Sequence, residues 1–334
     1  MSREKIRCII DKCLLDYPCE LDVRFDEPMS AHTTFKVGGP ADCLIRPKQI
    51  INNKEQIIKH TEQLTNSGGH ENVTGFCISL LNQTRAAGIP VFILGGGANI
   101  VVSDKGIRGI VLDTGGWKGQ ILIGNELIIN SGTSMDEAAE YAACAGLSGL
   151  EFLAGMPGTI GGAVWMNARC YGREIADVLN WTEIINNEEY TVKRVETGQG
   201  IGFGYKSSPF QKMNCFIIRA CFNLLPDDKD IITRRMEKNR QDRKEKGHYL
   251  FPCAGSVFKN NHDYGKPAGA IIDELGMKGL RLGGAQVAPF HGNIIINTGN
   301  ATVADIRALT DKVASNVKAA TGFILEPEIL FIGE

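Results

Sequence analysis

No stretch of this 334-residue chain is apolar over the roughly 18 residues that a membrane-spanning helix needs. The first residues, MSREKIRCIIDKCLL, alternate charge with apolar side chains and have no continuous apolar core, so no signal peptide is expected. Net charge is almost absent: 36 basic residues stand against 38 acidic, which excludes bulk attraction to nucleic acid or to a membrane surface. Ten cysteines are present, at 8, 13, 19, 43, 77, 144, 170, 215, 221 and 253. None forms a Cys-x-x-Cys pair, and no His/Cys cluster has zinc spacing, so no metal site is expected. The reading is of free thiols in a reducing cytoplasm. No Gly-Lys-Ser/Thr follows a glycine loop, which excludes a P-loop, and no alternating glycines open a long helix, which excludes the dinucleotide fingerprint. Ser256 lacks a Gly-x-Ser-x-Gly elbow and is not read as a hydrolase nucleophile.

What the chain has in quantity is glycine, 39 residues, and it is clustered. The stretch from Gly149 to Gly172 reads GLEFLAGMPGTIGGAVWMNARCYG. It is too broken by Gly155, Pro157, Gly158, Gly161 and Gly162 to span a membrane, and too apolar for a solvated linker. Glycine has no Cβ, so backbone here can press closely against something buried. Two readings stand: a tight buried turn, or bare amides of Thr159 to Ala163 facing a phosphate or a heterocycle. A second cluster follows a strand, Val91 to Leu94. Gly95-Gly96-Gly97-Ala98-Asn99 is either a hairpin turn or a pyrophosphate cradle.

The length allows about two domains. In chain order, helical spacing covers residues 3–15 and strand-like residues run from Thr33 to Val37, before the turn Gly38-Gly39-Pro40. A helix, a polar loop at Asn66 to Asn72 and a second helix are expected over 53–88. Short strands fall at 91–94, 100–102, 109–112, 120–123, 126–130, 178–185, 189–196 and 215–223. Ser134 with Glu137 predicts a capped helix over Met135 to Ala145. A charged helix from Lys229 to Lys246 marks a candidate domain boundary. Beyond it come helices at Asp263 to Gly276 and Thr302 to Ala320, and an apolar, strand-like run from Leu325 to Ile332. Glu328 lies in that run, where a carboxylate needs a partner or a chemical role. His32 is open to two readings as well, a base or ligand, or a histidine satisfying a local backbone bond.

Five motifs agree in order and spacing: HTTFKVGGPA from His32, LGGGAN from Leu94, GLEFLAGMPGTIGGA from Gly149, AGSVFKN from Ala254 and LEPEI from Leu325. From about residue 28 to the end, the chain resembles UDP-N-acetylenolpyruvoylglucosamine reductases, flavoenzymes of bacterial peptidoglycan precursor synthesis. It looks like the shorter form, without an extra tyrosine-bearing lid segment.

The resemblance implies an α/β (α+β) chain with an FAD-binding fold of the vanillyl-alcohol-oxidase type. Two FAD-binding subdomains would occupy residues 1–228, dividing near 90, with the tail 326–334 returning to them. A small α/β substrate domain would occupy 229–325. FAD would be held without a covalent link by His32, Thr33, the loop Gly95, Gly96, Gly97, Ala98 and Asn99, and the segment Pro157, Gly158, Thr159, Gly161 and Gly162. NADPH would supply a hydride through FAD to the vinyl carbon of an enolpyruvyl UDP-sugar. Ser256 matches the proton donor, and Glu328 matches the carboxyl that stabilises the enolate-like intermediate. Lys246 matches a contact to the substrate diphosphate, with Asn260 and Gln286 as further substrate contacts. The expected partners are the UDP-sugar and NADPH, acting on a monomer.

The chain departs from the family pattern twice. Lys206 stands where the family's Phe-x-Tyr-Arg-x-Ser motif has the arginine that pairs with the substrate carboxylate. Lysine keeps the charge and loses the bidentate fork. Asn167-Ala-Arg-Cys-Tyr-Gly172 replaces the usual Asn-Ala-Gly-Ala-Tyr-Gly. Arg169 therefore either points to solvent or supplies part of the cationic contact weakened at Lys206. Two other functions fit the same residues: another FAD-dependent oxidoreductase, or a nucleotide-binding relative that has lost catalysis.

Overall fold

The computed structural model describes residues 2–48, 68–197 and 202–333. These residues form two compact units. The first comprises Met1–Asp26, Asp42–Gly96 and Gly109–Asn239. The second comprises Glu27–Ala41, Gly97–Arg108 and Arg240–Glu334.

Two sheets build the first unit. One orders its strands Glu20–Pro28, Pro40–Lys48, Ile107–Asp113, Val91–Leu94, the last two being parallel. Helices α1 (Arg3–Asp16) and α2 (Gly68–Ala86) turn their apolar stripes to the same core, with Ile6, Ile10, Phe76 and Leu80 buried beside Ile45 and Ile110. The second sheet is antiparallel throughout, in the order Thr191–Glu196, Leu179–Asn186, Cys215–Asn223, Glu126–Asn130, Gln120–Ile123. Helix α3 (Met135–Cys144) starts at Ser134 with the capping box that its sequence predicts, and α4 (Ile160–Met166) follows from the glycine-rich stretch. Ala138, Ala142, Ile160 and Val164 pack with Phe210 and Phe222 in this layer's core. The charged α5 (Lys229–Glu245) contains the division between the units, at Asn239 and Arg240.

The second unit is a small mixed layer. A three-stranded antiparallel sheet, Arg281–Leu282, Ala285–Val287, Ile295–Asn297, packs with α6 (Ala268–Glu274) and α7 (Val303–Thr321). Thr302 and Asp305 form the capping box of α7, and Gly322 closes it in the left-handed conformation. The strands Ile100–Val102 and Leu330–Ile332 form a parallel pair in the same unit.

The structure differs from the sequence pattern at several places, each for a local reason. Thr33 to Val37 is not a strand. The Thr33 hydroxyl donates to the Val37 carbonyl at 2.9 Å, and Lys36 takes φ +57°, so turn chemistry prevails over alternation. The helix expected over Asp263 to Gly276 is shortened to α6, because Gly265 sits at φ +68° and Pro267 precedes the first turn. Only Leu330–Ile332 of the last apolar run is a strand, since Pro327 has no amide to give a ladder. The polar tract from Gly68 to Asn72 opens α2 rather than forming a loop. The helix expected from residue 53, and Asn66 and Ser67, lie outside the described residues.

Candidate active site

Within the first unit the two glycine clusters meet backbone to backbone. A Cβ on Gly96 would fall 2.5 Å from the Gly158 Cα, and one on Gly95 would fall 2.8 Å from the Thr159 hydroxyl. A Cβ on Gly161 would fall 2.8 Å from the Ser131 Cβ. Only glycine permits these approaches. In the second unit Gly97 takes φ +61°, and a Cβ there would meet the His32 carbonyl oxygen at 2.1 Å. The His32 segment is tied to this loop: the Thr34 amide donates to the Gly97 carbonyl at 3.1 Å, and the Thr34 hydroxyl donates to the Cys253 carbonyl at 2.7 Å.

The amides of Gly95, Gly96, Gly97 and Ala98 donate to no carbonyl among the described residues. Consecutive undirected amides on a loop without side chains are what a pyrophosphate requires. The second cluster corrects the expectation of bare amides from Thr159 to Ala163. Ile160 donates to Thr133 at 2.9 Å, Gly161 to Ser131 at 2.9 Å and Ala163 to Thr159 at 2.8 Å. The amides of Thr159 and Gly162 are without a carbonyl partner among the described residues. The hydroxyls of Thr159 and Ser131 are buried with no partner there either. A buried hydroxyl without a bond is costly in the protein alone, and a polar ligand removes that cost. These residues therefore fit a flavin dinucleotide.

The second unit brings Ser256 and Glu328 to adjacent backbone positions. The Glu328 amide donates to the carbonyl of Val257, next to Ser256, at 2.7 Å, and the Lys259 amide donates to Glu326 at 2.8 Å. These bonds flank a bridge between Phe258 and Pro327, while Ser256 itself bridges to Ile294. Gly255 before it takes φ +74°. The Asn99 side-chain amide donates to the Glu328 carbonyl at 3.0 Å. Glu328 is 7% exposed, which makes its carboxyl an unusual resident of the interior.

Lys206 lies in the first unit, on a tight turn closed by reciprocal bonds between Gly204 and Ser207, 3.0 and 3.1 Å. Arg169 stands nearby: its guanidinium lies 5.7 Å from the ring centre of Tyr205 and 3.7 Å from Glu174. It is thus engaged with the turn that carries Lys206 rather than extended into solvent alone.

The remaining sequence-predicted residues have local partners. His32 Nε2 is 2.8 Å from Glu27 Oε1. Lys246 follows the last residue of α5, with its ammonium 2.8 Å from Asp242 one turn earlier. Asn260 Oδ1 accepts from the Ala268 amide at 2.9 Å and so starts α6. Gln286 Nε2 donates to the Gly279 carbonyl at 3.1 Å. Pro157 is exposed beside Gly158. Around Lys246 the imidazoles of His248 and His291 stand 6.2 Å apart. Burial, reinforced by the Arg243 charge, pushes His248 down to about 4, and burial with the Lys246 charge lowers His291 as well. Both are neutral near pH 7.

Sequence reasoning did not single out Ser131, Thr34 or Asn167. Nothing in a lone Ser or Thr marks an unpaired hydroxyl or a long-range tie. Asn167, a left-handed residue closing α4, was visible only as part of a motif.

Comparison with known proteins agrees with this geometry. The family model for the C-terminal domain of UDP-N-acetylenolpyruvoylglucosamine reductase matches residues 246–332, and the model for an FAD-binding domain matches residues 76–194. A UDP-N-acetylenolpyruvoylglucosamine reductase from Borrelia garinii subsp. bavariensis is 40% identical over 303 residues, covering 90% of each chain. One from Treponema denticola is 37% identical over 327 residues, covering 93% of this chain and 94% of its own. The crystal structure of the UDP-N-acetylenolpyruvylglucosamine reductase (MurB) from Thermus caldophilus aligns with a TM-score of 0.71 at 30% identity, covering 94% of this chain and all of that one. With relatives at 37–40% identity alike over nearly their whole length, the chain belongs to the UDP-N-acetylenolpyruvoylglucosamine reductase family.

Proposed function

We infer that Ser256, Glu328 and Lys206 carry the second half of this family's reaction, reduction of the enolpyruvyl ether of a UDP-sugar in peptidoglycan precursor synthesis. FAD, when bound, supplies the hydride it has taken from NADPH. On this reading the amides of Gly95 to Asn99 hold the pyrophosphate of FAD, and Pro157 to Gly162, with His32 and Thr33, complete its binding. Hydride arrives at the vinyl carbon distal to the carboxylate. The C=C pair then collects as an enolate-like charge, and the Ser256 hydroxyl gives its proton to the adjacent carbon. A serine is a weak acid but suffices against so basic a carbon. The Glu328 carboxyl stabilises the charge while it lasts.

Lys206 neutralises the substrate carboxylate, with Arg169 adding charge from beside Tyr205. Lys246, Asn260 and Gln286 meet the nucleotide sugar. The observation that supports this reading most directly is the backbone bond that sets the buried Glu328 against the residue after Ser256. We place the enzyme in the cytoplasm as a monomer, a compartment that suits its free cysteines; sedimentation checks the oligomeric state.

Anaerobic mixing of the purified, FAD-loaded protein with NADPH, and then with the enolpyruvyl UDP-sugar, tests the reaction. Flavin absorbance is expected to bleach and to recover only after the sugar nucleotide is added. Bleaching without recovery would refute the substrate, and absence of flavin binding would refute the cofactor site.

A further inference from the structure

Lys206 occupies a backbone conformation that lysine avoids. Its φ is +54°, while the reciprocal Gly204–Ser207 bonds close a two-residue turn around it and Tyr205. Tyr205 does not share the positive φ, so the turn has the pattern in which only the second corner is left-handed, a corner normally given to glycine. A side chain there persists only where its surroundings over-determine the conformation, and such strain collects at functional positions.

Two amide side chains over-determine it. Asn167 Nδ2 donates to the Gly204 carbonyl at 2.9 Å, at the entry to the turn. Gln211 Nε2 donates to the carbonyl of Lys206 itself at 3.1 Å and to that of Trp165 at 3.0 Å. Both are anchored on α4. Asn167 is its left-handed cap, fully buried, and its own Oδ1 accepts from the Ala176 amide at 3.1 Å. Trp165 lies in the last turn of α4 and also accepts from the Ser208 hydroxyl at 2.7 Å. The turn is thus held at both ends from a single short helix, and that helix begins at Thr159–Ile160, where the glycine clusters meet. A loop meant only to connect two strands needs none of this.

We propose that Asn167 and Gln211 are positioning residues, whose side-chain N–H groups hold the turn Gly204–Ser207 in the strained conformation that presents the Lys206 ammonium to the substrate carboxylate. This rests on the reading of Lys206 given above. A single ammonium lacks the fixed fork of a guanidinium, so more of its aim must come from the backbone that carries it. The pair of amides supplies that aim, and with it an account of how lysine serves where the resemblance leads one to expect arginine.

The test uses the full-length, FAD-loaded enzyme in two separate half-reactions. Gln211→Glu and Asn167→Asp each keep the shape and remove the donor. NADPH bleaching is expected to stay within about twofold of the parent, while reoxidation by the enolpyruvyl UDP-sugar slows by about tenfold or more. In a Lys206→Ala background the same substitutions are expected to add nothing, because the group they aim is gone. Equal slowing of both half-reactions, unchanged reoxidation in both variants, or additive slowing on Lys206→Ala would each overturn the proposal. The buried Asn167→Asp carboxyl endangers folding; Gln211→Glu, at a half-buried site, carries the test if it fails to fold. Should Lys206→Ala alone leave reoxidation unchanged, the assigned role of Lys206 fails, a result distinguishable from failure of the positioning residues.

Discussion

The side-chain amide of Asn99 donates to the Glu328 carbonyl at 3.0 Å, and the Asn99 carbonyl accepts from the Leu330 amide at 3.0 Å. The last residue of the glycine loop and the candidate stabilising carboxyl are therefore set in one register by the parallel pair Ile100–Val102 and Leu330–Ile332. Moving the segment that carries Glu328 means breaking bonds to the loop.

That register predicts a clean division of labour. Glu328→Gln and Ser256→Ala are expected to keep FAD and to bleach with NADPH at the parent rate. Reoxidation by substrate should slow by about 10²–10³-fold for the loss of charge stabilisation and by a similar order for loss of the proton donor. Stopped-flow absorbance of the flavin band reads both. Parent-like reoxidation in either variant would remove that residue from the mechanism.

Gly96→Ala places a methyl 2.5 Å from the Gly158 Cα, against backbone that cannot swing aside. Forced separation of this kind costs about 1–3 kcal/mol. The purified variant should be colourless or nearly so, with FAD affinity reduced by about tenfold or more, measured by fluorescence titration.

Arg169 is exposed and shared between Tyr205 and Glu174. A charge so placed contributes in the range of a rim contact, about 0.2–1 kcal/mol. Arg169→Ala is therefore expected to raise the KM for the UDP-sugar by up to about fivefold and to leave kcat nearly unchanged, with the effect shrinking in high salt. An unchanged KM at low salt would return Arg169 to a solvent role.

His70 gives a pH prediction. Burial, helped by the Arg219 charge, pushes its imidazole down to about 4, and its ring lies 5.4 Å from that of Trp117. Because the folded value lies below the unfolded value of about 6.5, the unfolded chain holds the proton more tightly. Stability is then complete above about pH 6.5 and falls as pH drops toward 4, by on the order of 2–3 kcal/mol for this group. His248 and His291 act in the same direction. His70→Phe, which keeps a ring against Trp117, should flatten the fall in melting temperature between pH 7 and 4.5 relative to the parent. An identical slope would refute the assignment.

The elements with strong local signals were legible in the sequence. The Ser134 capping box, the helix after Thr302 and the strand that delivers the glycines all stand where pattern and caps place them. What was not legible depended on partners distant in sequence. Thr33 to Val37 alternates like a strand, but side-chain and backbone bonds fold it into a turn. The amides after Thr159 looked free because the carbonyls of Ser131 and Thr133 that take them lie on another element. The chemistry was legible through the resemblance that five motifs carry in order and spacing; the glycine clusters and the carboxyl in an apolar run, taken singly, left two readings open.

The second unit's core joins Phe35, Val37 and Val101 to Leu325 and Ile329. On the ribosome this core cannot close until residue 329 has emerged, although its first members appear near residue 35. For most of synthesis those early apolar side chains wait without their partners. Loss of the few residues after Phe323 would thus strand an apolar surface laid down nearly three hundred residues earlier, and the exposed intermediate, more than the missing Glu328 carboxyl, would decide the fate of a truncated chain.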